Sequence, residues 1–343
     1  MTRTVELGLD TFGDVTSGPD GRLLSHAQVI RNVVEEGVLA DQVGLDFFGV
    51  GEHHRADFSI SAPDVVLAAI AGRTNAIRLG SAVTVLSSDD PVRVFQRFST
   101  LDAASSGRAE VILGRGSFTE SFPLFGFELD QYDKLFSERL DLFVKLLRED
   151  VINWRGDTRP AIVNQRVFPT IENGTLMTWI GVGGSPESVI RAARYGLPLM
   201  LAIIGGDPKR FKPYAELYHS SLKEFGQPVL PIGVHSPGYV ADTDEQARAE
   251  FFDDYKRMRD QIGAERGWPP MRRAEFDHEI EHGSLYVGAP ETVARKIAAT
   301  VKEIGAARFD LKYSAGQLAH AKLMRCIELY GTKVKPLVHA LLG

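Results

Sequence analysis

Glu52-His53-His54, bracketed by Gly51 and Arg55, sets two imidazoles beside a carboxylate. An imidazole with an unperturbed pKa of ~6.5 takes up and returns a proton near neutral pH, and a neighbouring carboxylate can orient the ring or tune its charge. Three kinds of site would use these residues: a general base with its orienting partner, a metal centre, or two packing rings in a polar loop. A metal fits worst. Consecutive side chains at a strand end point in opposite directions, and the spacing lacks the i, i+4 form of a helical zinc motif.

A second candidate is Ile180-Gly181-Val182-Gly183-Gly184-Ser185-Pro186-Glu187-Ser188, an apolar run leading through glycines into a helix start. Glycines let a backbone approach a ligand closely, and the unpaired N–H groups and positive dipole end of a helix attract a phosphate. Ser185 can serve both as N-cap and as phosphate donor. An ordinary N-capped turn would need only Ser-Pro-Glu. The third candidate is Leu113-Gly114-Arg115-Gly116-Ser117, where a guanidinium sits between two glycines. Arg115 could pair with the same phosphate through its planar fork, or make a rim salt bridge. Two phosphate-suited features imply a phosphorylated ligand, and nothing resembling a Walker loop argues for a nucleoside triphosphate.

The elements that must position these residues alternate along the chain. Short apolar runs at 5–9, 47–50, 77–86, 109–113, 177–182, 199–204, 230–234 and 308–312 read as strands, separated by amphipathic stretches that read as helices. Eight strands with helical crossovers predict a parallel α/β fold. The count of eight, and Leu9-Asp10-Thr11-Phe12-Gly13 in place of a GxGxxG turn after the first strand, favour a (β/α)8 TIM barrel over an open doubly wound sheet. Residues 1–343 then form a single barrel domain with two excursions. Residues 151–176, punctuated by Pro, Gly and Asn, suggest a hairpin. Residues 263–283 lose clean periodicity, carry many charges and contain Trp268-Pro269-Pro270.

Bulk properties agree with a folded enzyme. Of 343 residues 44% are hydrophobic and 24% charged, close to average globular usage. The net charge of -6 and the absence of a basic stripe argue against nucleic acid. A single cysteine, Cys326, excludes an intrachain disulfide or a cysteine-cluster metal site. No apolar run reaches the ~18 residues of a membrane span, and MTRTVELGLD lacks a signal-peptide pattern. A cytoplasmic location is the expectation.

With these residues in hand, the sequence resembles the bacterial luciferase-like monooxygenase family over most of its length. GEHHRADF resembles the family's Glu-His-His segment. IRLGSAVTVLSSDDPVRVFQRFSTLDAASSGRAEVILGRGSFTESFPLFGF resembles its third and fourth strand units, and GGSPESVIRAARYGLPLML, SLYVGAPETVARKI and GTKVKP add further matches, the nearest being to an uncharacterised non-luminescent subgroup. The resemblance implies FMN at the barrel mouth, its phosphate held by Arg115, the Gly183-Gly184-Ser185 turn and Ser188. It also implies a cis peptide at Ala82-Val83 under the isoalloxazine ring, His53 as catalytic residue, and Glu52 as a carboxylate close to the flavin. Phe12 would line the pocket or belong to the core. Gly114 stands where luciferase has a reactive cysteine and Gly184 where it has a glutamate; these departures argue against light emission and leave flavin binding intact.

The activity so implied is a two-component monooxygenase, supplied with reduced FMN by a separate flavin reductase and acting on a small organic substrate. The 263–283 excursion would act as a lid with Trp268 and Arg272 or Arg273 facing the substrate, or remain a surface loop. Hydride transfer with a deazaflavin and flavin binding without turnover are the alternatives, and a homodimer follows by family analogy.

Overall fold

In the computed structural model, residues 4–116, 118–172 and 174–343 are described; Ser117, which closes the third candidate motif, and Asn173 lie outside them. The chain runs β1 (Glu6–Thr11), α1 (His26–Gln42), β2 (Phe47–Val50), α2 (Pro63–Ala71), β3 (Arg78–Val85), α3 (Pro91–Ala104), β4 (Ala109–Gly114), α4 (Ser121–Phe125), α5 (Tyr132–Arg148), β5 (Ile152–Trp154) and β6 (Ile162–Gln165). It continues β7 (Met177–Val182), α6 (Pro186–Tyr195), β8 (Leu199–Ala202), α7 (Lys212–Glu224), β9 (Ile232–Val240), α8 (Asp244–Arg266), α9 (Arg273–Glu281), β10 (Tyr286–Gly288), α10 (Pro290–Ile304), β11 (Arg308–Lys312), α11 (His320–Leu329) and α12 (Lys335–Leu342).

Strands β1, β2, β3, β4, β7, β8, β9 and β11 pair in parallel, in that circular order. The ring closes where Leu9 of β1 lies between Phe48 of β2 and Leu311 of β11. All eight strands expected from the sequence are in the ring, so the fold is a closed (β/α)8 barrel. β5 and β6 form the expected antiparallel hairpin outside it. β9 runs past its expected end at Val234 through His235 to Val240, where it also pairs with β10.

Sequence chemistry sets the helix starts. Asp90 accepts the N–H groups of Val92 and Arg93, Thr243 accepts that of Gln246, and prolines occupy the first turn of α2, α3, α6 and α10, where no N–H is needed. Buried apolar side chains sort into a large core between strands and helices and a small cluster of Phe47, Ala82, Ile112, Trp179 and Met200 inside the barrel. At the base of that interior, Arg308 is fully buried over the Phe47 ring at 3.5 Å, its guanidinium bonded to Glu110 at 2.6 Å and Asp310 at 2.9 Å. The base of the barrel is therefore filled, which leaves the C-terminal mouth for a ligand.

The 263–283 stretch is more regular than its sequence suggests. α8 extends to Arg266 and α9 begins at Arg273, which leaves residues 267–272, including Trp268-Pro269-Pro270, and the closing 282–283 outside helices. α9 buries a two-residue stripe, Phe276 and Ile280, whose i, i+4 spacing is hidden among charged neighbours.

Candidate active site

The loop after β2 carries Glu52, His53 and His54 to the mouth. The His53 ring is enclosed by aromatics, with centroids at 4.6 Å to Phe12, 4.6 Å to Phe58 and 5.2 Å to Phe118. Its side chain keeps 12% exposure, so the ring can meet a ligand while excluded from bulk water. Phe12 therefore lines the mouth. Above this cage the loop is clamped to the end of α8, because Arg55 bonds Glu265 through both terminal nitrogens at 2.9 and 2.5 Å. Arg55 and Arg266 both stack on Phe118, at 4.7 and 5.2 Å.

Glu52 does not orient His53. One of its oxygens lies 3.0 Å from His54 Nε2 and the other accepts the Val85 N–H at 2.9 Å, so the carboxylate ties the β2 loop to the end of β3. The reason is the strand-end alternation that turns adjacent side chains apart. The acid beside His53 is Glu120, from the segment after β4, 3.9 Å from Nδ1. Burial pushes the Glu120 carboxyl up, but the His53 ring and nearby backbone N–H groups outweigh it and hold the group below the usual carboxylate range.

The Ala82-Val83 peptide is cis, and the β3–β4 register shifts there. Val83 is only partly buried and fills the space beside two inward glycines. A Cβ on Gly114 would stand 2.7 Å from Val83 Cγ2, and one on Gly181 3.2 Å from Val83 Cγ1. Val83 thus occupies the volume that a side chain at position 114 would need.

On the β7 side, Gly183 faces open space, and Gly184 adopts φ +117°, a conformation side-chain-bearing residues avoid. The Gly184 carbonyl accepts the Tyr214 hydroxyl at 2.8 Å. Ser185 caps α6 through the Ser188 N–H, and its hydroxyl also donates to Glu187 at 2.8 Å. Arg115 reaches this helix start from β4 while bonded to the exposed Asp133 at 2.5 Å. A second cation, Arg191, lies one and a half turns into α6. Its Nη1 is buried and lacks a hydrogen-bond partner among the described residues, and burial together with the nearby positive charge of Arg115 pulls its pKa down. Two guanidiniums that repel each other, one with an unsatisfied buried donor, thus stand at a glycine-flanked helix N-terminus, an arrangement whose chemistry suits a phosphate monoester. Glu187 borders the same site, so Ser185 would exchange its carboxylate partner for a phosphate oxygen.

Trp268 is 45% exposed and sits at the rim, where Arg266 lies over both its ring and that of Phe118. Arg272 stands apart from the cage. It is exposed at the start of α9, where its N–H donates to Glu275, and Arg273 packs outward on Phe252 and Phe276. Beside the mouth, a polar cavity of about 220 Å³ is lined by Glu52, His54, Asp64, Asp89 and Arg97. Among the described residues no cluster of three or more metal-ligating side chains occurs, and no helix is long and apolar enough to cross a membrane.

The profile of the luciferase-like monooxygenase family matches residues 11–308, from the end of β1 into β11. The chain belongs to this family. The uncharacterized protein y4vJ of Sinorhizobium fredii (strain NBRC 101917 / NGR234) is 25% identical over 337 residues, 93% of this chain and 94% of that protein. The structure of monooxygenase RslO1 from Streptomyces bottropensis superposes with a TM-score of 0.85 at 21% identity, covering 96% of this chain and 99% of RslO1. The oxygenating constituent of 3,6-diketocamphane monooxygenase from Pseudomonas putida, solved with FMN, gives 0.79 at 19% identity, with 97% and 98% covered. An F420-dependent secondary alcohol dehydrogenase, solved with an F420-acetone adduct, gives 0.74 at 17% identity, with 98% and 99% covered.

This member of the family places at its mouth four residues that sequence reasoning passed over: Asp10, Glu120, Arg191 and His235. Arg191 reads as a solvated face of an amphipathic helix, and Glu120 lies in a loop without period. Asp10 did carry a signal, since an acid at an inward position of ELGLD contradicts an apolar barrel lining.

Proposed function

We propose that this luciferase-like protein is the oxygenase component of a two-component monooxygenase that takes reduced FMN from a flavin reductase and oxidises a small organic substrate. The observation that carries the reading is the unsatisfied buried Nη1 of Arg191 beside Arg115 at the start of α6, on the same mouth as His53. These groups would hold the FMN phosphate, and Val83 would support one face of the ring system. The bound flavin supplies the electrons and the oxygen chemistry.

The protein's own part is to orient, enclose and move protons. Phe12, Phe58 and Phe118 exclude water from His53, and the Arg55–Glu265 clamp holds that cage closed. His53 exchanges a proton with the reacting group, and Glu120 stabilises the ring while it is protonated. Glu52 fixes the loop that carries His53. Trp268 contributes to the rim.

Anaerobic titration with reduced FMN, followed by an oxygen pulse in the stopped flow, tests the assignment. Bound flavin is expected to reoxidise at a rate distinct from free reduced FMN. Tight deazaflavin binding without FMN affinity would replace the reading by hydride transfer, and flavin binding without turnover on any carbonyl or aromatic substrate would reduce it to a binding protein. Replacing His53 by Ala should leave FMN affinity near normal and abolish turnover.

A further inference from the structure

His235 stands on β9, across the mouth from Val83. Its Nδ1 is 2.7 Å from Asp10 Oδ2, and its ring stacks on Phe12 at 6.3 Å and 17°, on the same aromatic side chain that packs against His53. Asp10 is 1% exposed, and its other oxygen, Oδ1, is buried with no hydrogen-bond partner among the described residues. The His235 side chain keeps 13% exposure. A carboxylate that fixes one imidazole nitrogen leaves the other free to act, in a fixed orientation. With Nδ1 taken by Asp10, the free atom is Nε2.

We infer that His235 is a second proton donor of this site, held by Asp10 and presenting Nε2–H to an electron-rich oxygen, carbonyl or oxyanion, of the ligand bound in the mouth. The inference rests on a ligand occupying this mouth as proposed above. In the transfer the Nε2–H bond breaks and an O–H bond forms; the imidazolium becomes neutral, and the Asp10 bond to Nδ1 persists. The return step restores the imidazolium from the same oxygen or from water, and no oxidant or reductant is consumed.

The surroundings favour the charged ring. Burial opposes it, but Asp10 on β1 and Asp310 on β11 outweigh burial and the opposing charge of Lys312, so the His235 pKa is raised. Lys312 is engaged elsewhere, with Asp14 at 2.9 and 3.0 Å, whereas His235 keeps its second ring nitrogen without a hydrogen-bond partner among the described residues.

The oxygen could belong to the substrate or to the flavin ring, and one set of variants separates the two. Full-length wild type, Asp10→Asn and His235→Gln are compared in the binding of para-nitrophenol, whose colour reports its ionisation, in the presence of oxidised FMN. Wild type is expected to bind the phenolate at a pH where the free probe is protonated. His235→Gln should lose that colour shift and bind about tenfold more weakly, with FMN affinity unchanged. If His235→Gln instead weakens FMN and riboflavin alike by about tenfold and spares the phenol, the flavin ring supplies the oxygen. In NMR, the His235 titration midpoint should fall in Asp10→Asn. Unchanged binding of both ligands in His235→Gln, or an unmoved His235 titration in Asp10→Asn, overturns the proposal. Failure of all three proteins to bind any flavin removes the flavin reading, while the phenolate and NMR results still decide the role of His235.

Discussion

His54 Nε2 lies 3.0 Å from Glu52 Oε1, and the second Glu52 oxygen accepts the Val85 N–H at 2.9 Å, so this carboxylate joins two strand ends rather than serving His53. Glu52→Gln sets an amide NH2 against either the Val85 N–H or a His54 Nε2 that donates to the carboxylate, so His54 must change tautomer or a donor is left unpaired. A buried donor left unsatisfied costs about 1–3 kcal/mol, and urea denaturation should show a loss of that size. The shape of the pH–rate profile should stay that of wild type, because the group beside His53 is untouched. A profile that collapses to one limb would return Glu52 to the proton-transfer machinery.

Glu120 supplies a pH dependence with a defined sign. Its folded-state pKa lies below its ordinary value, so the folded protein binds fewer protons than the unfolded chain in that range. Its contribution to stability is complete above the ordinary carboxylate pKa and disappears as pH falls through the depressed value. Glu120→Gln should lower the thermal midpoint near neutrality, where the contribution is complete, and change it little at low pH, which flattens the acid limb of a plot of thermal midpoint against pH. An acid limb as steep as that of wild type would show that the 3.9 Å contact with His53 carries no charge coupling.

The eight strands were legible because period and composition agree along each of them, and the mouth was legible because Glu52, Arg115 and the Gly183-Gly184-Ser185 turn all fall at strand ends. What stayed hidden depends on packing between distant segments. Which neighbour His53 meets follows from how the chain after β4 folds back over the β2 loop, 67 residues later in sequence, and no local pattern encodes it. Likewise, the pairing of His235 with Asp10 spans 225 residues and exists only because β9 and β1 face each other across β11. The short helix α9 was missed for another reason, since its two buried residues give too weak a period against six polar neighbours.

Arg191 distinguishes a phosphate receptor from an ordinary capped turn. If its buried Nη1 meets a phosphate oxygen, Arg191→Gln removes one charge-assisted hydrogen bond of about 1.5–3 kcal/mol, so FMN should bind about 10- to 100-fold more weakly. Riboflavin, which lacks the phosphate, should bind wild type and variant equally. Inorganic phosphate should compete with FMN in the wild type and much less in the variant. Equal losses for FMN and riboflavin would mean that Arg191 only supports the shape of α6, through its stacking on Phe136.

Val83 and Gly114 test whether the inward face at the cis bond is tightly matched. A methyl group at position 114 would stand 2.7 Å from Val83 Cγ2 and 3.1 Å from both Val83 Cβ and Cγ1, so rotating the Val83 side chain leaves the Cβ contact in place. The side chain is β-branched, with few rotamers in which to escape. Gly114→Ala should therefore cost about 1–3 kcal/mol through overpacking and tilt the surface offered to the flavin ring. Val83→Ala removes the obstacle. In the double variant the methyl at position 114 finds room, so stability should recover by about 1 kcal/mol or more relative to the sum of the single losses, and FMN affinity should recover with it. Additive losses in urea denaturation would show that the backbone at Gly114 is constrained by something other than Val83.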